Sequence, residues 1–339
     1  MTHIARLLFL LSGFCIFFGG SQSRASNSPR IRIILDTDAN SEVDDQHAIA
    51  YLLFSGDVFD VEGITVNRTN SGGSIARHVA EAKRVVRLCG MEERVRVFRG
   101  ADGSFAEIKA ALEEPCFDGI EAVNFIIERA RAHDKRPLVI LSIGKLTNTA
   151  LALAKSPEIA PRLRIVWVGS SYPNAREYNQ DNDEPAVNYV LNTDAAFEMI
   201  PIKGVRPMGT PPIRASLFDI REKMPGKGPK VSPVRGRHGG EYTCFGDYSA
   251  NLYANIDVPY GTPPGRAFFD VAGVAVVKNP SWSGSYEIPA PIRENGQWQD
   301  RPFNRRTIII RASLHPRAIV TNAVMTDFYD TLAHPQLGR

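Results

Sequence analysis

The chain has 339 residues, 43% of them hydrophobic and 23% charged, with a formal net charge of +3. These are the values of an ordinary soluble globular chain, long enough for one large domain or two small ones. A charge so small and so evenly spread excludes nucleic acid and anionic membranes as electrostatically driven partners.

The first 25 residues, from Met1 to Ala25, place one basic residue ahead of an apolar run from Leu7 to Phe18, followed by small polar residues. That layout predicts a signal peptide cleaved near Ala25, and an exported chain, periplasmic or secreted, whose domain covers residues 26–339. The run is too short for a comfortable membrane anchor, and no other stretch approaches the roughly 18 apolar residues of a spanning helix. Cys15 leaves with the leader. Cys89, Cys116 and Cys244 remain, without metal-type spacing and with room for one bridge at most, and read as buried thiols.

Apolar runs at 30–35, 61–66, 94–98, 137–144 and 163–169 read as strands, several of them apolar throughout, as in parallel strands covered on both faces. Helical patterns lie between them. The segment from Ile75 sets Val79, Ala82 and Val85/Val86 on one face and stops at Gly90. The segment from Gly119 sets Val123, Ile126/Ile127 and Ala130 likewise, and a third helix follows the fourth strand. Such alternation predicts an α/β fold, a doubly wound, mostly parallel sheet flanked by helices. Residues 219–240, rich in Gly, Pro and Lys/Arg, read as a mobile surface loop with a solvated basic face. A helical pattern returns at 265–280 with one acid, Asp270, inside it; a strand is predicted at 305–312 and a closing helix at 322–333.

In a sheet of this kind, ligands bind at the carboxyl ends of the strands. Asp36 and Asp38 end the first strand, Asn67 and Asn70 follow the second, and Ser142–Gly144 end the fourth. Asp44 and Asp45 then open a helix, where the dipole favours negative charge. Four carboxylates so close repel one another. An oxygen-rich cluster selects a hard divalent cation, Ca²⁺ or Mg²⁺, and such an ion removes the repulsion. The alternatives are helix capping by Asp44 and Asp45, or a haloacid-dehalogenase-type phosphatase. The latter wants its acidic metal partners much later in the chain.

The stretch IILDTDANSEVDDQHAIAYLL resembles the inosine-uridine-preferring nucleoside hydrolase family, whose first strand runs into D-x-D-P-G-x-D-D and a helix. VEGITVNRTN, LVILSIGKLTNTALAL, EPAVNYVLNTDAA and FFDVAGVAVV match further family segments in order, from residue 31 to about 280. The resemblance implies a nucleoside hydrolase fold and a Ca²⁺-dependent N-glycosidase acting on a small ribonucleoside, with dimers or tetramers common. It implies that Asp38, Asp45, Asp270 and the Ile143 carbonyl hold the cation, that Asp44 and Asn188 grip the ribose hydroxyls, and that Asn70 lies by the reacting water. Asp38 takes the proton from that water, and Asp36 orients its neighbours from behind.

The chain also departs from the family. ANSE replaces the P-G turn and is two residues longer, with Asn40 and Glu42 as candidate extra ligands or exposed loop residues. Phe269 stands where a His protonates the leaving base; His47 and His238 are the nearest replacements and read as packing or surface residues. Ala186 replaces the Glu that binds the 5′-hydroxyl. Tyr242, Phe245, Tyr248, Tyr253 and Tyr260 are candidates to stack on a base or to pack. Two other functions fit the same residues: a hydrolase of another sugar glycoside, or a non-catalytic, metal-dependent sugar-binding protein.

Overall fold

The computed structural model describes residues 29–202, 209–311 and 320–338. The leader reading and Cys15 lie outside these residues. Six parallel strands alternate with helices: β1 (Ile31–Thr37), β2 (Phe59–Val66), β3 (Val97–Arg99), β4 (Leu138–Ser142), β5 (Leu163–Val168) and β6 (Ala196–Ile200). Two more, β7 (Ser285–Pro289) and β8 (Thr307–Arg311), pair antiparallel, and β8 joins β6 in parallel. The order across the sheet is β7-β8-β6-β5-β4-β1-β2-β3. The winding therefore reverses between β1 and β4, and a crevice at their carboxyl ends is the place such a sheet offers a ligand.

The period-two alternation of the central strands sorts the core. Ile33, Leu35, Val139, Leu141, Val166 and Val168 face one apolar cluster, while Ile34, Leu138, Ile140, Ile165 and Trp167 face the other. The first cluster is closed by α1 (Asp44–Leu53), α2 (Ile75–Leu88), α7 (Phe269–Lys278) and α8 (Thr321–Ala333). The second is closed by α3 (Ile120–Arg131), α4 (Thr147–Lys155) and α5 (Glu184–Leu191). Between these groups in the chain lies α6 (Phe245–Ala254). Gly90 follows α2 at φ +68°, the left-handed position at which its sequence predicts the helix to stop.

The segment 219–240 is more ordered than a mobile loop. Residues 217–223 form a helix closed by a Ser216/Asp219 capping box, and Val234–Arg235 pairs with Glu241–Tyr242. Among the described residues the cysteines are unbridged; Cys89 and Cys244 are buried, whereas Cys116 is exposed. No described helix is long and apolar enough to cross a membrane.

Candidate active site

β1 delivers Asp36 and Asp38 to the crevice, the chain turns through Ala39–Val43, and α1 opens with Asp44 and Asp45. α7 brings Asp270 from the far end of the sequence. Its approach depends on Gly273, where a Cβ would lie 2.4 Å from Val168 Cγ2. Carboxylate oxygens of Asp44, Asp45 and Asp270 all fall within 4.8 Å of one another. Asp38 lines the same cavity of about 430 Å³, as does Ile143. Thr69 donates to Asp38 Oδ2, and Thr37 Oγ1 donates to Asp45 Oδ1 at 2.5 Å. Gly144 leaves room for this: a Cβ there would sit 2.9 Å from Asp38 Oδ1.

Burial pushes all four carboxyls up, and repulsion from the neighbouring acids adds to it at Asp44, Asp45 and Asp270. Asp44 is pushed up to about 7; Asp38 is raised, and Asp45 and Asp270 are raised well above the ordinary carboxylate range. Asp44 and Asp270 lie close enough to share a proton. Among the described residues no Lys or Arg is ion-paired with any of the four, and Arg266, which reaches the cavity, pairs with Glu42 instead. Buried acids without a Lys or Arg partner, all offering oxygen donors, fit a hard divalent cation rather than a soft one. The resemblance assigned the shell to Asp38, Asp45, Asp270 and the Ile143 carbonyl. The three carboxylates packed closest include Asp44, with Asp38 joining along the cavity wall.

The other sequence candidates divide. Asp36 accepts from Thr65 Oγ1 (2.8 Å), Asn148 Nδ2 (2.7 Å) and Asn67 Nδ2 (3.2 Å), tying β1 to β2 and α4 from behind the cavity. Burial pushes Asp36 to about 7 despite these bonds. Asn70 is exposed and does not line the cavity; its backbone N–H donates to Asn182 Oδ1 at 2.8 Å. Asn188 also stands apart: its Nδ2 donates to the Arg293 carbonyl and its Oδ1 accepts from the Arg293 N–H, both at 2.8 Å. The side chains in the cavity are instead those of Glu177, Tyr178 and Asn179. Asn179 Nδ2 donates to the carbonyls of Ile143 (3.1 Å) and Val168 (2.9 Å). The signal was legible: Glu177-Tyr178-Asn179 carries the Glu two places before Asn that the resemblance seeks and that Ala186–Asn188 lacks.

His47 is enclosed. Its ring nitrogens meet the Val43 carbonyl and Ser249 Oγ, both at 2.6 Å, among Phe245, Tyr253, Phe268 and Phe328, and burial lowers it to about 4. It is a packing residue. His238 lies outside the acidic cavity, whereas Phe269 lines it. Of the candidate aromatics, Phe245, Tyr248 and Tyr253 are buried in the core. Tyr260 reaches the cavity, joined by Tyr178. Asn40 donates to the Gly72 carbonyl at 2.6 Å, which fastens the longer turn, while Ser41 Oγ of the same turn donates to Asp45 Oδ2 at 3.3 Å and Glu42 borders the cavity.

The model of the inosine-uridine preferring nucleoside hydrolases matches residues 33–301. The chain belongs to this family. It is similar to the inosine-uridine preferring nucleoside hydrolase of Crithidia fasciculata, 25% identical over 295 residues, 78% of this chain and 84% of that protein. To an uncharacterized Schizosaccharomyces pombe protein it is 35% identical over 88 residues, 24% of this chain and 28% of that one. Among solved structures it superposes on a plant nucleoside hydrolase with a TM-score of 0.68 at 18% identity, covering 91% of this chain and 100% of the other. A purine-preferring ribonucleoside hydrolase from Gardnerella vaginalis gives 0.66 at 19% identity, covering 89% and 98%. A nucleoside hydrolase family member with this arrangement makes a pair of contrasting predictions. Asn179→Ala loosens the Ile143 carbonyl and lowers activity tens of times to about a hundredfold. Asn188→Ala spares activity but loses two hydrogen bonds, costing about 1–2 kcal/mol of stability. Rates and melting temperatures of the two variants, measured side by side, check this; equal loss of activity in both contradicts it.

Proposed function

We propose that this protein is a Ca²⁺-dependent hydrolase that cleaves the N-glycosidic bond of ribonucleosides, releasing base and ribose. The observation that carries the reading is the meeting of Asp38, Asp44, Asp45, Asp270 and Ile143 in one cavity at the β1/β4 crevice. In this reading Asp38, Asp45, Asp270 and the Ile143 carbonyl hold the cation, which when bound lowers the pKa of a water and neutralises the acids.

The protein's own groups do the rest. Ca²⁺ is a weak Lewis acid, so Asp38 is needed as base for the attacking water. Asp44 accepts from a ribose hydroxyl and orients the sugar. Loss of the base builds positive charge on the sugar ring, which the surrounding carboxylates stabilise. Glu177, which lines the same cavity with its Oε2 held by the Ser170 and Gln180 N–H groups, replaces Ala186 as the candidate for the 5′-hydroxyl. Tyr178 offers an aromatic ring to the base, and Tyr260, its ring covered by the Arg214 and Arg266 guanidiniums, borders the same cavity. Phe269 supplies no proton, so the favoured bases are those that leave without an acid at that position. The leader-like N-terminus supports action outside the cytoplasm.

The test is direct. Mature protein, with Ca²⁺ or with chelator, is offered purine and pyrimidine nucleosides, and reducing sugar is measured. Calcium-dependent release lost in Asp38→Ala is the expected result. Binding of nucleosides with no release overturns the catalytic reading in favour of a sugar-binding protein.

A further inference from the structure

Beyond the 40–43 turn a second, larger cavity of about 920 Å³ opens, and it shares Ser41, Glu42 and Arg266 with the acidic one. Its character is opposite. Arg77, Arg84, Arg237 and Arg266 line it against only Glu42 and Asp257. Glu42 is committed to Arg266, and Arg84 to Glu81. Arg237 spends its donors on neutral partners: Asn40 Oδ1 at 3.3 Å, the Glu42 carbonyl at 3.1 Å and His238 Nε2 at 3.0 Å. Arg77, exposed in the first turns of α2, has no ion pair among the described residues. Two guanidinium charges thus stand against the single exposed carboxylate of Asp257, next to a cavity with a surplus of negative charge.

We propose that this groove is an oxyanion subsite, and that the substrates carry a carboxylate or phosphate on the leaving base. The inference rests on the nucleosidase reading of the neighbouring cavity. The side follows from Arg266 and Tyr260, which line the acidic cavity together with Phe269, the residue at the leaving-group position. Glu177 and Asn179 do not line the groove. The Arg266 guanidinium lies over the Tyr260 ring, 5.4 Å from its centre, and borders both cavities, so a base entering beside this pair would bring its substituent to the rim of the groove. Guanidinium forks are suited to the two oxygens of a carboxylate or phosphate.

Uridine and orotidine form a matched pair, differing by one carboxylate on the base, and uridine 5′-monophosphate moves the anion to the sugar. Reducing-sugar release from all three is compared in the calcium-loaded wild type and Arg77→Gln, and inorganic phosphate is titrated into both by calorimetry. Orotidine is expected to exceed uridine in kcat/KM by roughly tenfold, an advantage lost in Arg77→Gln. Phosphate binding is expected to weaken in parallel. Equal use of orotidine and uridine, or an advantage that Arg77→Gln leaves intact, overturns the subsite. A preference for the 5′-monophosphate over both overturns its placement on the base side. Should no nucleoside be turned over, it is the nucleosidase reading that fails. The groove is then judged by phosphate alone: Arg77-dependent binding sustains it and no binding ends it.

Discussion

Replacing Asp45 by Asn is expected to cut cation-dependent ribose release steeply and yet raise the melting temperature of the metal-free protein. Both effects have one cause. Asp45 is buried beside Asp38, Asp44 and Asp270, and its carboxyl is raised well above the ordinary range first by burial and then by the charges of Asp38 and Asp44. Without an ion these charges oppose folding. An amide keeps the size of the side chain and still accepts from Thr37 Oγ1, but removes one charge from the cluster. A gain of about 1–2 kcal/mol in the metal-free state is the scale expected for relieving one such contact, equivalent to a few degrees. The loss of rate is expected to be about a thousandfold, the scale of removing one preorganised electrostatic group. Differential scanning calorimetry with chelator and with Ca²⁺ reads the first effect and its cancellation. Saturating ligand at 100 times its Kd adds about 2.7 kcal/mol to the wild type and far less to the variant. A metal-free variant that melts below the metal-free wild type contradicts the account.

The second large effect is a stability that falls as pH rises. Asp36 and Asp44 are both pushed up from 3.8 to about 7, burial being the principal cause. In the unfolded chain these groups ionise at their ordinary values, so between pH 3.8 and about 7 the folded state binds more protons than the unfolded one. Stability is then greatest at the acidic end of this window and is lost as pH rises through it. The slope is about 1.4 kcal/mol per pH unit for each group. An ordinary protein whose carboxylates are ion-paired behaves the other way. Chelated protein is expected to melt several degrees lower at pH 7.5 than at pH 5.5, and Ca²⁺ to flatten the difference by stabilising the ionised forms. A melting temperature that is level or rising over that interval in chelator contradicts the burial of uncompensated acids.

Much of this was legible in the sequence because it is local. The apolar runs of β1, β2, β4 and β5, the stop at Gly90 and the two acids at the start of α1 each depend on neighbours a few residues away. Asp270 was conspicuous as one acid in an apolar helix. The edge strands were harder. Ala196–Ile200 carries an acid, Glu198, that meets Arg164 and Arg311 from flanking strands, and Ser285–Pro289 is half-exposed, so neither reads as a core strand. The order in the capping box at Ser216 was masked by the Gly, Pro and Lys that follow it. Asn188 and Asn179 differ in their surroundings more than in their immediate sequence. What separates them is the Arg293 backbone, more than a hundred positions away, which occupies one and leaves the other to the cavity. The meeting of Arg266 with Glu42 across the turn is likewise a product of the tertiary fold.

The distance in sequence between the acids has a consequence for how the chain matures. Asp45 and Asp270 stand 225 positions apart, yet their oxygens belong to one cluster. A chain emerging from its N-terminus therefore shows the early acids to solvent long before α7 is made, and in that interval it can grasp an ion only weakly. On the reading proposed above, tight capture waits until α7 docks under β4 and β5, so that copies ending before this helix would stay unloaded.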